Sequence, residues 1–194
     1  MPLTCKKNRL QSCYKCCIRE VWSTMPDSPA AQRIKTAYLD LLETYPDTPI
    51  TVTQIAQRAH VNRVTFYRLY ETQVAVLLDI LDEFDRENRE YLGGIPFDEI
   101  DDEETVKLML EHHRRNMHML KTVLDSSMGP VLERRIEEGI SKPAMARSDR
   151  IEGFSHLLMS YYTAGTSAII CEWIKGGCKE SVDEVMGILR RTAL

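Results

Sequence analysis

The chain has 194 residues, 43% of them hydrophobic, and a formal net charge of −4, which allows one good core or a small head with a larger body. That balance argues against a protein that coats nucleic acid indiscriminately, but the charge is graded. Residues 1–27 carry five basic against two acidic side chains, residues 28–72 five against four, and residues 73–194 fifteen against twenty-three, so the acidity belongs to the C-terminal part and a basic face elsewhere remains possible.

Residues 1–27 show no periodicity and are basic and cysteine-rich, with Cys5, Cys13, Cys16 and Cys17 ahead of a second methionine, Met25. They read as a disordered or mis-annotated extension. Zinc is disfavoured there, because Cys16 and Cys17 are adjacent and the second C-x2-C pair of a zinc ribbon is missing; a basic arm reaching DNA is a lesser reading. With Cys171 and Cys178 far away, no disulfide framework is suggested, and scattered thiols with no apolar leader suit a reduced cytoplasm.

Ser28-Pro29 predicts the first helix, with Ser28 as its cap and Pro29 in a turn that needs no N–H. Ile34, Tyr38, Leu41, Leu42 and Tyr45 form its apolar stripe, and Pro46 and Pro49 end it. Thr51 with Gln54 is a capping box for a second helix, and Asn62 caps a third only two residues beyond Ala59. Between them, His60-Val61 falls where the backbone must turn left-handed, a region histidine tolerates better than most residues. Thr72 caps a fourth helix carrying Leu77, Ile80, Leu81, Phe84 and Tyr91, and Gly93-Gly94 stops it. Two short helices joined by a tight turn beside a third helix start make a helix-turn-helix. Beyond it, four more helices are expected at roughly 102–125, 128–140, 149–175 and 182–193. Ser148 and the Ser181–Glu184 box serve as caps, Ser141-Lys142-Pro143 and Gly176-Gly177 as breaks, and no strand pattern appears.

The string T-V-x-x-I-A-x-x-A-x-V-N-R-x-T-F-Y-R-x-Y, from Thr51 to Tyr70, resembles the DNA-binding signature of the TetR/AcrR family of transcriptional repressors. Three positions depart from it. Val64 stands where the family often has Gly, Leu69 where it often has His, and Gln73 where it usually has Lys. A looser likeness to one TetR-like subgroup runs through Ala164-Gly165, Ile169-Ile170 and Trp173-Ile174, so the resemblance covers about residues 28–194 and is strong to about 81. It implies an all-α, TetR-like fold with a helix-turn-helix head over residues 28–75 and a helical ligand-binding and dimerisation body over 76–194. It also implies a regulator, most simply a repressor, that binds a palindromic double-stranded DNA operator as a homodimer and is released by an effector. The alternative is a TetR-like interaction protein of co-activator type whose body binds a protein partner.

A helix entering the major groove by its first turn presents Asn62, Arg63, Val64, Thr65, Tyr67 and Arg68 to bases and phosphates. Arg63 suits a guanine and Thr65 a thymine methyl or a phosphate, while Thr51, Thr53, Tyr67 and Thr72 suit phosphate oxygens and Gln73 lies beside the DNA backbone. Asn62 also has a purely structural role as a cap, and Phe66 and Tyr70 read as core.

In the body, His113, Met117, Leu120, Leu158, Tyr161 and Tyr162 are the expected effector lining, although methionine-rich packing is more often ordinary core. Phe154, Leu158, Tyr161, Gly165, Ala168, Ile169, Trp173, Val185, Ile188 and Leu189 are the expected dimer interface, because small residues on one face admit a second helix closely. Residues 157–174 approach the length of a membrane span but include Ser160, Thr163, Ser167 and Glu172, so a partner-facing helix is the better reading. Neither metal nor cofactor is expected: Glu111, His112, His113 and His118 do not share one helix face. Nor is an enzyme, for no phosphate loop, nucleophile elbow or H-E-x-x-H string occurs.

Overall fold

The computed structural model describes residues 28–94, 103–148 and 156–192, and every regular element among them is a helix. The expected N-terminal extension, Phe154 and the start of the helix expected from 149 lie outside the described residues. The helices are α1 (Pro29–Thr44), α2 (Val52–Arg58), α3 (Arg63–Leu69), α4 (Gln73–Tyr91), α5 (Glu103–Arg115), α6 (Met117–Leu124), α7 (Gly129–Ser148), α8 (His156–Lys175) and α9 (Val182–Thr192).

The caps read from sequence are in place in the head and at α9, but Ser148, expected to cap the following helix, is instead the last residue of α7. Ser28 Oγ accepts from the Ala31 N–H at 3.1 Å, and the Ser181–Glu184 box closes with the Ser181 N–H on Glu184 Oε2 at 2.7 Å. Gly93 and Gly94 end α4 at φ 72° and 84°, letting the Gly94 N–H reach back to Arg89 O at 2.8 Å, which satisfies a terminal carbonyl.

Four expectations need correction. Tyr45, expected in the α1 stripe, is the C-cap and stands exposed, because the following Pro46 disfavours helical geometry at that residue and turns it outward. Residues 102–125 are two helices, broken at Asn116, whose carboxamide donates to His112 O at 3.1 Å and competes with the backbone ladder. Ser141-Lys142-Pro143 is no break. The helix runs through to Ser148, since a proline removes one ladder bond while Ala144, Met145, Ala146 and Arg147 all favour helix. Tyr91, expected among the buried residues of α4, is only half-buried at its last turn.

One hydrophobic cluster runs from Ala31, Ile34 and Tyr38 of α1 through Phe66 of α3 and Leu77, Leu81 and Phe84 of α4 to Leu110, Leu120, Ile170, Ile174 and Val185. Each such side chain stabilises the fold by about 1.5–3 kcal/mol. The core is therefore continuous from α1 to α9, with α7 packed along α8 and α1 against both α4 and α6. The Ser127 N–H donates to Pro46 O at 2.8 Å, joining the turn after α6 to the loop after α1. No helix among the described residues is long and apolar enough to cross a membrane.

Candidate nucleic-acid interface

The turn between α2 and α3 is built by local hydrogen bonds. Thr51 Oγ accepts from the Gln54 N–H at 3.3 Å while Gln54 Oε1 accepts from the Thr51 N–H at 2.8 Å. At the other end of α2, His60 adopts φ 52°, the left-handed conformation expected there, and the Val61 N–H closes onto Ala56 O at 3.0 Å. Arg33 of α1 donates through Nε to Ala59 O at 3.3 Å and pins the end of α2. Asn62 Oδ1 accepts from the Thr65 N–H at 2.6 Å, so its oxygen is committed to capping α3.

Phe66 anchors α3. It is fully buried, with Tyr67 edge-on at 5.7 Å and Tyr70 at 6.0 Å. Arg63, Val64, Tyr67 and Arg68 are all exposed, and Thr65 and Leu69 are half-buried. Val64 is 78% exposed and Tyr67 50%, large apolar surfaces that the head does not cover. The Arg63 guanidinium lies 5.9 Å from the Tyr67 ring centroid, within cation–π reach. Thr51, Thr53 and Thr72 are exposed and Gln73 is half-buried. Thr72 Oγ1 accepts from the Ala75 N–H at 3.1 Å, which leaves its proton free to donate outward.

Behind this face, α4 is held by residues that local pattern did not single out. Lys35 of α1 is almost wholly buried, yet its ammonium pairs with Glu83 at 2.7 Å and Asp79 at 3.6 Å. Tyr70, the C-cap of α3, donates its hydroxyl to the same Asp79 at 2.7 Å. On another side of α4, Arg135 of α7 grips Asp85 at 2.6 Å and also pairs with Asp82. Burial pushes the Asp85 carboxyl up against the opposing pull of Arg135. Burial disfavours the Arg135 charge too, but the two carboxylates prevail and raise its pKa. The visible signal was two acidic pairs, Asp79/Glu83 and Asp82/Asp85, at helical spacing.

The last turns of α4 meet α5 through rings. Phe84 stacks on His112 at 4.8 Å and meets His113 edge-on at 5.2 Å. Burial drives His113 down to about 4, despite the 2.7 Å contact of Nδ1 with Met109 O, so the ring is neutral. His112 is lowered for the same reason. Two buried polar atoms remain unmatched among the described residues: Asn88 Oδ1 on α4 and Thr163 Oγ1 on α8.

The expected effector-lining residues do not form one enclosed wall. His113 and Leu120 are buried and Met117 and Tyr162 half-buried, whereas Leu158 and Tyr161 lie exposed on α8, Tyr161 at 67%. Of the expected dimer residues, Gly165 and Ala168 share that exposed α8 face with Leu157, Leu158 and Tyr161, and Ile169, Ile188 and Leu189 are half-buried. Trp173 and Val185 are already covered by their own chain, Trp173 with its Nε1–H on Glu180 O at 3.0 Å. They lie beneath the α8–α9 surface rather than on it.

Comparison with known proteins bears on both halves. Residues 102–194 match TetR_C_8, the transcriptional regulator C-terminal region, and no curated protein sequence matches. Among solved structures, the chain is similar to the fatty acid degradation regulator FadR from Bacillus halodurans, with a TM-score of 0.55, 16% identity and coverage of 86% of this chain and 95% of that one. It is also similar to the dihydroxyacetone kinase operon activator DhaS (TM-score 0.49, 19% identity, coverage 84% and 92%). A third is a TetR-family transcriptional regulator from Marinobacter aquaeolei VT8 (TM-score 0.44, 16% identity, coverage 87% and 99%). Residues 102–194, over α5–α9, thus match the C-terminal region of a TetR-type transcriptional regulator, and they follow a helix-turn-helix whose string from Thr51 to Tyr70 resembles the DNA-binding signature of that family.

Proposed function

We propose that the chain binds a palindromic double-stranded DNA operator as a cytoplasmic homodimeric repressor, using residues 51–73 of a head spanning 28–75, and that an effector in the body, residues 76–194, releases it. The observation that carries the reading is the outer face of α3, where Arg63, Val64, Tyr67 and Arg68 all stand exposed while Phe66 alone anchors the helix. Cations and an aromatic on one short helix suit a groove lined by phosphates and base edges.

The dimer reading is supported by the exposed stripe of α8, where Leu157, Leu158 and Tyr161 adjoin Gly165 and Ala168. A contiguous apolar strip with small residues at its centre lets a second helix approach closely. A two-fold pair with both copies of α3 on one side is what half-sites about one DNA turn apart require. The effector reading is supported by Asn88 and Thr163, whose buried oxygens have no partner among the described residues. Buried polar atoms left unmatched are costly, and a polar ligand reaching either of them relieves that cost.

Gly165→Trp tests the dimer with little disturbance of the fold, because Gly165 is exposed and a Cβ added there meets nothing within 4 Å in its own chain. The variant should sediment as a folded monomer and lose tight binding to a duplex that the wild type selects. An intact dimer, or a wild-type monomer at micromolar concentration, counts against the reading.

A further inference from the structure

The residue that reads sequence most directly is set by how α3 is rolled against the head. Phe66, fully buried, marks the inward direction of the helix. At about 100° per residue, Val64 two positions before it and Arg68 two positions after it each lie roughly 160° from that direction. Thr65 and Tyr67 stand on the flanks at roughly 100°, and Arg63 and Leu69 at roughly 60°. The side chains aimed straight away from the core are thus Val64 and Arg68.

Val64 is the most exposed large hydrophobic side chain among the described residues, at 78%, and it makes no contribution to the core. Polar alternatives at its position are absent. Asn62 spends its oxygen capping α3, Thr65 is half-buried on the flank, and the Arg63 guanidinium lies toward Tyr67. An apolar side chain at the centre of a groove-facing helix has one apolar group to meet on the major-groove edges, the C5-methyl of thymine.

Resting on the operator reading above, we propose that Val64 is a specificity-determining residue that packs on a thymine methyl in each half-site, with Arg68 one helical turn further along the groove. Arg63 then serves position on the backbone rather than base choice. This reassigns the two base contacts expected from sequence, guanine to Arg63 and thymine to Thr65.

The test uses the full chain and a duplex enriched by it from a random-sequence pool. Each thymine of that duplex is replaced singly by deoxyuridine, which removes only the C5-methyl. At one thymine per half-site the replacement should weaken wild-type binding about fourfold, the worth of one buried methyl-sized group. The Val64→Ala protein should bind the thymine and uracil duplexes alike. A duplex with no methyl-sensitive thymine, or an undiminished uracil penalty in Val64→Ala, would overturn the assignment while DNA binding stands. Failure to enrich any duplex would overturn the operator reading and this assignment together.

Discussion

The head-facing and body-facing sides of α4 are both held by ion pairs, but in different surroundings. Toward α1, Lys35 is 4% exposed and reaches Glu83 and Asp79, and Tyr70 adds a hydrogen bond to Asp79. Toward α7, Arg135 is 28% exposed, and its partner Asp82 lies mostly in solvent. A buried ammonium tolerates little movement, because withdrawing its carboxylates strands a charge in a poor solvent for it. A half-exposed guanidinium can release one carboxylate and take water instead. On this contrast α4 is expected to move with the head, its attachment to the body being the joint that yields first.

Lys35→Met should do the most damage, about 3 kcal/mol in urea unfolding, since it takes the buried cation from two partly buried carboxylates and leaves Asp79 to Tyr70 and Glu83 to Arg86. The loss should hardly change between low and high salt. A loss below about 1 kcal/mol would erase the distinction between weld and joint.

Acid should act next, and on the body side. The folded His113 pKa of about 4 lies below the ordinary 6.5, so between those values the unfolded chain binds the extra proton. Stability is then fully present above about pH 6.5 and falls as the pH drops through 4, by about 3 kcal/mol in all. His112 shifts the same way. Replacing His113 by Phe should flatten this part of the pH profile; an unchanged slope would point to other groups.

Arg135→Ala is expected to cost about 1 kcal/mol at low ionic strength and less at high salt, because the site is partly open to solvent. It should loosen the response of the head to the body without unfolding either. A salt-independent loss matching that of Lys35→Met would make the two sides equivalent. Smallest of all, Val64→Ala should change stability by under about 0.5 kcal/mol, as its side chain supports nothing in the fold.

What was legible in the sequence was mainly what is local. The capping box at Thr51 and Gln54, the caps at Ser28, Asn62 and Thr72, and the left-handed turn at His60 each depend on atoms within three or four residues, and all formed. The same locality misled at Pro143, where a breaker signal yielded to the helix formers after it. Pairs such as Lys35–Glu83 and Arg135–Asp85 join residues about fifty positions apart, which no spacing rule reaches. At the candidate interface, pattern gave the exposed set on α3 but not its roll. Phe66 was read as core, but only its full burial beside a half-buried Thr65 and a 78% exposed Val64 fixes the outward direction on Val64 and Arg68. In the body, helical spacing put Trp173 and Val185 on the expected interface, although each spends its surface within its own chain.

The central claim, that α3 reads DNA as one of a two-fold pair, is tested most directly by selecting duplexes from a random pool with the full chain and aligning the sequences recovered. The account predicts a palindromic motif whose half-sites are centred about one helical turn, roughly 10 base pairs, apart. Recovery of no motif, or of a single unpaired half-site, would contradict it.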